Sequence, residues 1–130
     1  MASQSAVVVA SLKIGGMTIG GATENILSDV AKVLTVEIPA LTTDKEIDFT
    51  ITKSEVSAFA VECDKALTLD ANKAATPDFT LVCTAGLPSI WTKNSSFANP
   101  ITSNVTKFFA TNVASTPAIL KMGVLTDVTP

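Results

Sequence analysis

The pattern of apolar and polar residues has a period of two in the first half of the chain. In residues 34–38 and again in residues 47–51, every second residue is apolar and the residues between them are polar. Successive side chains of a β-strand lie on opposite faces, so this alternation is typical of a strand that buries one face in an antiparallel sheet. The two segments therefore predict two half-buried strands, joined by the polar stretch Leu41–Lys45.

Seven further segments have strand character and follow one another at short intervals. They are residues 7–14, 59–63, 66–69, 79–83, 89–92, 107–111 and 119–125. The dipeptide Asp64-Lys65 predicts a tight hairpin between two of them. Many short strands separated by turn signals indicate a sandwich or a barrel, so the predicted fold class is all-β, an antiparallel β-sandwich of about eight strands.

One stretch has the spacing of a helix instead. Between Thr23 and Leu34, apolar residues fall at positions 26, 27, 30, 33 and 34, and Thr23 has the side chain of an N-cap. We therefore expect a short helix or a single helical turn there. A second turn is predicted at Lys53–Val56, so that the sandwich contains at most one or two short helical turns.

The N-terminal part differs from the rest in its glycine content. Residues 15–21 contain four glycines, which pack poorly in the interior of a strand. The sequence therefore predicts an N-terminal arm with a glycine-rich hinge over residues 1–21 and a β-sandwich domain over residues 22–130. A flexible loop that precedes the main fold is the alternative.

Composition and charge limit the partners of such a domain. The net charge is −3, and all nine basic residues are lysines scattered along the chain, which argues against binding to nucleic acid. No apolar run reaches the length of a membrane span. Only 16% of the residues are charged and 47% are hydrophobic. Either a partner covers part of the surface, or Thr, Ser and Asn cover it in place of charges.

Candidate chemistry is sparse. The chain has no histidine, tyrosine or arginine, which removes the usual general base and the commonest metal ligand. Asp44, Glu46 and Asp48 are interpreted as residues on the solvent-exposed face of a strand. Cys63 and Cys83 are interpreted as small buried thiols. We therefore predict no catalytic, cofactor-binding or metal-binding residues, no cofactor, and a chain that is not an enzyme.

Two aromatic features bear on binding. Trp91 is either a core residue beside Ile90 or a stacking platform for a sugar or another ligand. Phe108 and Phe109 are consecutive on a predicted strand and must face opposite sides of it. If one of the two rings is exposed, it marks a contact surface.

The C-terminal half resembles a group of small tailed-phage virion proteins. The segments that carry the resemblance are Leu87-Pro88-Ser89-Ile90-Trp91-Thr92, Ser96-Phe97-Ala98-Asn99-Pro100, Asn104-Val105-Thr106, Phe109-Ala110-Thr111-Asn112 and residues 119–125. The likeness covers roughly residues 33–130. The chain departs from the group in having Phe at the usual Tyr positions, and Cys63 and Cys83 are not part of the pattern.

This resemblance implies a capsid-associated sandwich of the jelly-roll type. The function it implies is a virion structural protein that binds and stabilises the capsid shell, as a decoration (cement) protein or a minor capsid protein. Its partners would be the major capsid protein or other virion proteins and further copies of the chain, with no nucleic acid or membrane. The protein would be located in the virion after assembly in the host cytoplasm. The alternative is a receptor- or carbohydrate-binding β module of a phage tail or fibre.

Overall fold

The computed structural model describes residues 4–128, with the side chains of all of them except residues 10, 12, 21 and 22. Ten strands and one 3₁₀ turn account for the regular structure of this part. The strands are β1 (Gln4–Ile14), β2 (Met17–Ser28), β3 (Val30–Ile38), β4 (Thr42–Ile51), β5 (Val56–Cys63), β6 (Leu67–Ala71), β7 (Thr80–Cys83), β8 (Ser89–Thr92), β9 (Val105–Asn112) and β10 (Ala118–Thr126). Within residues 4–128, no helix has the length and apolar character that crossing a membrane requires.

Eight of these strands form two antiparallel sheets of four. The first sheet has the order β3-β10-β5-β8 and the second has the order β4-β9-β6-β7. The pairs are nested: β3 pairs with β10, β4 with β9, β5 with β8, and β6 with β7. This is the arrangement of a jelly roll, in which one long folded hairpin is wrapped into two facing sheets. The predicted antiparallel β-sandwich is confirmed.

The core lies between the two sheets and is built by the alternation seen in the sequence. In β4, Ile47, Phe49 and Ile51 are buried, while Glu46 and Asp48 are exposed. The central strands β9 and β10 contribute Phe108, Ala110, Leu120 and Met122 from their inner faces. The predicted turn near residue 53 is present as the 3₁₀ turn Lys53–Glu55.

The predicted helix between Thr23 and Leu34 is wrong. This stretch contains the end of β2 and the start of β3, which meet at Asp29. The helical spacing arose because both strands carry apolar side chains on both faces: Ile26 is buried and Leu27 is exposed, and Val33 is exposed beside the half-buried Leu34. Adjacent apolar residues of that kind imitate the i, i+3, i+4 pattern of an amphipathic helix.

The predicted hairpin at Asp64-Lys65 is also wrong. β5 lies in the first sheet and β6 in the second, so the connection crosses from one sheet to the other. The Asp64 carboxylate accepts a hydrogen bond of 2.7 Å from the backbone N–H of Ile119. That bond holds the connection against the start of β10 and lowers the pKa of Asp64.

The predicted boundary between residues 21 and 22 falls inside β2. In the structure, β1 and β2 form a separate two-stranded sheet, and the first sandwich strand begins at Val30. Residues 1–3 of the predicted arm and the last two residues of the predicted sandwich lie outside the described residues. We call residues 4–28 the N-terminal hairpin.

Candidate functional site

The N-terminal hairpin is long for a two-stranded sheet, and its sequence explains the turn. β1 and β2 have 11 and 12 residues, and they are joined by Gly15 and Gly16 between the paired residues Ile14 and Met17. Both glycines have positive φ, +55° and +86°, which a two-residue hairpin turn of type I′ requires. Two of the four glycines predicted to form a hinge therefore close a hairpin, while the other two lie in β2. The extended backbone from Ala6 to Ile14 spans about 26 Å.

Only the base of the hairpin is held by the sandwich. Ile26 is buried against Ala58 and Leu125, with Ala6 packed beside them. The hydroxyls of Ser28 and Ser57 lie 3.0 Å apart within hydrogen-bonding distance. By contrast, residues 13–20, which we call the tip, are all exposed.

The hairpin carries apolar side chains on both faces. On the outward face, Val7, Val9 and Leu27 are exposed beside polar partners. At the tip, Ile14 pairs with Met17, and Ile19 is two residues further along the same strand, so these three share one face. Met17 is 66% exposed. An isolated two-stranded hairpin is marginally stable in water, so this surface favours a hairpin that is covered when it functions.

A shallow apolar groove lies beside the hairpin on the outer face of the first sheet. One row of paired residues crosses all four strands, namely Val33, Gly123, Ala60 and Ile90. The two small residues form its floor, and the two larger ones form its sides. Residues 5–8 of β1 complete the wall of the groove, which has a volume of about 220 Å³.

The total surface exceeds that of a compact monomer of the same mass. The chain exposes 7534 Å², whereas a compact monomer of 13.5 kDa exposes about 6,500 Å². The projecting hairpin, whose tip is exposed on both strands, contributes to this difference of about 1,000 Å². Much of the exposed apolar surface is on the hairpin and around the groove, where Val33 is 87% exposed.

The candidate acidic residues of β4 lie away from this surface, in the second sheet. Glu46 forms an ion pair with Lys107, and this contact raises the pKa of the lysine. Asp48 is exposed, as is Asp44, whose backbone N–H donates to the Thr111 hydroxyl. Within residues 4–128, no cluster of three or more His, Cys, Asp or Glu side chains could hold a metal ion.

Trp91 is a core-facing residue. Its indole packs against the core cluster from β8, and its Nε1–H donates a 2.8 Å hydrogen bond to the carbonyl of Phe97. The ring of Phe97 itself is 85% exposed. Trp91 is half-buried, and it lines a shallow pocket together with Ile90 and Phe97. Of the two consecutive phenylalanines, Phe108 is buried and Phe109 is half-buried, so neither ring is fully exposed.

The two cysteines are free and buried, which confirms the prediction of buried thiols. Removal from water disfavours the thiolate, and it raises the pKa of Cys63. The same effect, with a smaller contribution from the nearby Cys63, raises the pKa of Cys83 from 9.0 to about 11. At neutral pH both groups are neutral apolar packing groups.

This shift predicts how stability depends on alkaline pH. The unfolded chain ionises Cys83 near pH 9, whereas the folded chain does so near pH 11. The thiol therefore contributes stability that is fully present below pH 9 and is lost as the pH rises to about 11. We expect the free energy of unfolding to fall by about 2–3 kcal/mol more in the native chain than in Cys83→Ala over this interval. Urea titrations at both pH values measure the difference, and equal losses would contradict it.

The comparisons with known proteins add a single distant similarity. No protein-family model matches the chain, and no curated protein is significantly similar to it. Among solved structures, it is similar to a protein of Bacillus endospore appendages, described as a novel family of disulfide-linked pili. The identity is 13%, the alignment covers 75% of this chain and 88% of the other, and the TM-score is 0.41. At that level the match carries no information about function.

Proposed function

We propose that the chain is a structural subunit of a phage particle, which binds neighbouring virion proteins and stabilises the capsid shell as a decoration or minor capsid protein. The observation that carries the proposal is the N-terminal hairpin, whose outward face exposes the apolar side chains of Val7, Val9 and Leu27. The eight-stranded jelly roll supports it, because this architecture is common in viral capsid proteins. The resemblance of residues 33–130 to tailed-phage virion proteins supplies the kind of particle.

The proposed action is burial of apolar surface between neighbours. The base of the hairpin is anchored by Ile26 on the sandwich, while its outward face offers Val7, Val9 and Leu27. Covering these residues removes apolar area from water, at about 25 cal/mol per Å² before the costs of association. The partner is a protein surface of the virion, such as the major capsid protein, and the location is the assembled virion.

The proposal is tested on purified particles of a phage that encodes the chain. Mass spectrometry should find the protein at a fixed copy number relative to the major capsid protein. Its complete absence from particles would falsify the proposal.

A variant then tests the hairpin itself. We expect Val7→Ser, Val9→Ser and Leu27→Ser together to lower the occupancy of the protein on shells at least tenfold, because the apolar contact is removed. The matched control is Thr23→Ser with Asn25→Ser, which alters the polar partners on the same face and should leave occupancy unchanged. Retained occupancy in the triple variant would show that the hairpin is not the binding element.

A further inference from the structure

The two cysteines lie where one end of the first sheet meets one end of the second. Cys63 is the last residue of β5 and Cys83 is the last residue of β7. The carbonyl of Cys63 accepts a 2.8 Å hydrogen bond from the backbone N–H of Gly86, which follows β7. Cys83 is in turn the β-pair partner of Leu67, the first residue after the connection that leaves β5. Residues 63–67 and 83–86 therefore enclose a small ring of backbone that carries both cysteines.

The two sheets converge at this ring. Facing sheets usually pack about 10 Å apart, but Cα atoms of β5 and β7 come within 8 Å of each other. Both thiols lie in the narrowed space, because Cys63 is 0% exposed and Cys83 is 2% exposed within the same core cluster. The negative charge of a Cys63 thiolate contributes to the raised pKa of Cys83, which requires the two sulfurs to be near each other. A disulfide usually joins Cα atoms about 4.4–6.8 Å apart, so little closure is needed here.

Both thiols can be reached when the strand ends open. β7 has only four residues and is an edge strand of the second sheet. Cys83 is followed by the exposed residues 84–86, and Cys63 is followed by the exposed Asp64. Segments of this kind open locally without unfolding of the whole domain. A small oxidant can therefore reach the two sulfurs while the sandwich stays folded.

We propose that Cys63 and Cys83 form an intramolecular disulfide that ties the two sheets together and stabilises the sandwich in an oxidising environment. The oxidant is a small disulfide such as glutathione disulfide. One cysteine loses its proton and attacks this disulfide, which gives a mixed disulfide and one glutathione thiolate. The second cysteine thiolate attacks the protein sulfur of the mixed disulfide and releases the second glutathione. The two thiols lose two electrons, and their protons pass to the two glutathiones.

The same residues explain why the pair is reduced when the chain is made. Burial raises the pKa of both thiols, and the thiolate is the form that reacts, so exchange near neutral pH is slow. A cytoplasm also keeps thiols reduced. The bond is therefore expected after the protein has left a reducing compartment. This inference goes beyond the proposed function and does not depend on it.

The pairing is tested by mass spectrometry of the full chain. Reduced protein is incubated with glutathione disulfide at about pH 8.5, then denatured and alkylated. We expect a mass lower by two hydrogen atoms, no alkylation, and a non-reduced tryptic digest in which residues 54–65 are joined to residues 74–93. The chain has no third cysteine that could compete. Two alkylated cysteines, or glutathione adducts alone, would overturn the inference.

A comparison with the unfolded chain tests whether the fold brings the thiols together. In glutathione redox buffers, the effective concentration of the two thiols should be at least tenfold higher in the folded chain than in urea. Equal values in the two states would mean that the native structure does not favour the pair, and the inference would fail.

Thermal unfolding tests the stabilising effect of the bond. A disulfide across a loop of this length restricts the unfolded chain, so oxidation should raise Tm by about 5–10 °C. Cys63→Ala and Cys83→Ala are the matched controls, and their Tm should not rise after the same treatment. A native chain that carries the bond without a higher Tm would contradict the proposed stabilisation.

Discussion

Replacing Phe108 by alanine is expected to destabilise the protein by about 3–5 kcal/mol, which is the usual cost of removing a fully buried phenylalanine. Phe108 is 0% exposed at the centre of the core. Its ring meets that of Phe79 edge to face, with centroids 6.2 Å apart and planes at 82°. The substitution therefore leaves a cavity between the sheets and removes an aromatic pair. Urea unfolding followed by the fluorescence of Trp91, the single tryptophan, measures the loss.

The adjacent residue provides the control for this prediction. Phe109 lies on the same strand and points to the other side of the sheet, where it is half-buried and pairs with Glu46 and Asp70. We expect Phe109→Ala to cost about 1 kcal/mol or less, since little cavity forms at a partly exposed site. Similar losses for the two variants would contradict the assignment of their faces.

Replacing Asn112 by alanine is the second change with a large expected effect. Asn112 is 1% exposed, and its amide nitrogen donates to the carbonyls of Ile38, Pro39 and Thr116 at 3.0–3.2 Å. Its side-chain oxygen accepts from the backbone N–H of Ala114 at 3.0 Å. One side chain thus joins the β3–β4 connection to the β9–β10 connection.

The expected loss for Asn112→Ala is about 3 kcal/mol, because buried backbone groups are left without partners and each costs about 1–3 kcal/mol. For a domain of this size, that corresponds to a fall in Tm of roughly 10 °C. The exposed Asn94 is the matched control, and Asn94→Ala should change stability by less than about 0.5 kcal/mol. A fall in Tm of under about 2 °C for Asn112→Ala would show that the network is dispensable.

The sandwich was predictable because its strands bury one face and leave the other in water. Each of the eight sandwich strands contains or overlaps a segment with predicted strand character. Within β4, the alternation from Ile47 to Ile51 identifies the inner face residue by residue. The jelly-roll order was expected only from the resemblance, since periodicity within a strand carries no information about which distant strand pairs with it.

The first strand of the N-terminal hairpin was predicted, since residues 7–14 lie in β1, but β2 and its pairing with β1 escaped prediction for physical reasons. β2 contains Gly20, and it has apolar residues on both faces, so it shows neither a clean period of two nor strong strand propensity. Its register also shifts between Val9 and Ser11, and such an irregularity has no sequence signal of its own.

The groove was missed because it exists only across strands. Val33, Gly123, Ala60 and Ile90 come from four separate segments of the chain and meet through register alone. No sequence motif marks any of the four residues as part of a site, and Val33 was assigned to the predicted helix. The one usable signal was Gly123 within the strong strand pattern of residues 119–125, since an isolated glycine in such a pattern marks a bulge or a close approach of another backbone.

The position of β10 in its sheet determines when the chain can fold during synthesis. β10 lies between β3 and β5, and Thr126 pairs with Val30, which lies 96 residues earlier. The first sheet therefore lacks the strand between β3 and β5 until β10 has emerged from the ribosome. Until then, the edges of β3 and β5 that pair with β10 stay unpaired. Pairings across such a separation form slowly, typically in milliseconds to seconds. Slower elongation would lengthen this exposed interval, so chaperone binding to the nascent chain should peak before residue 118 emerges.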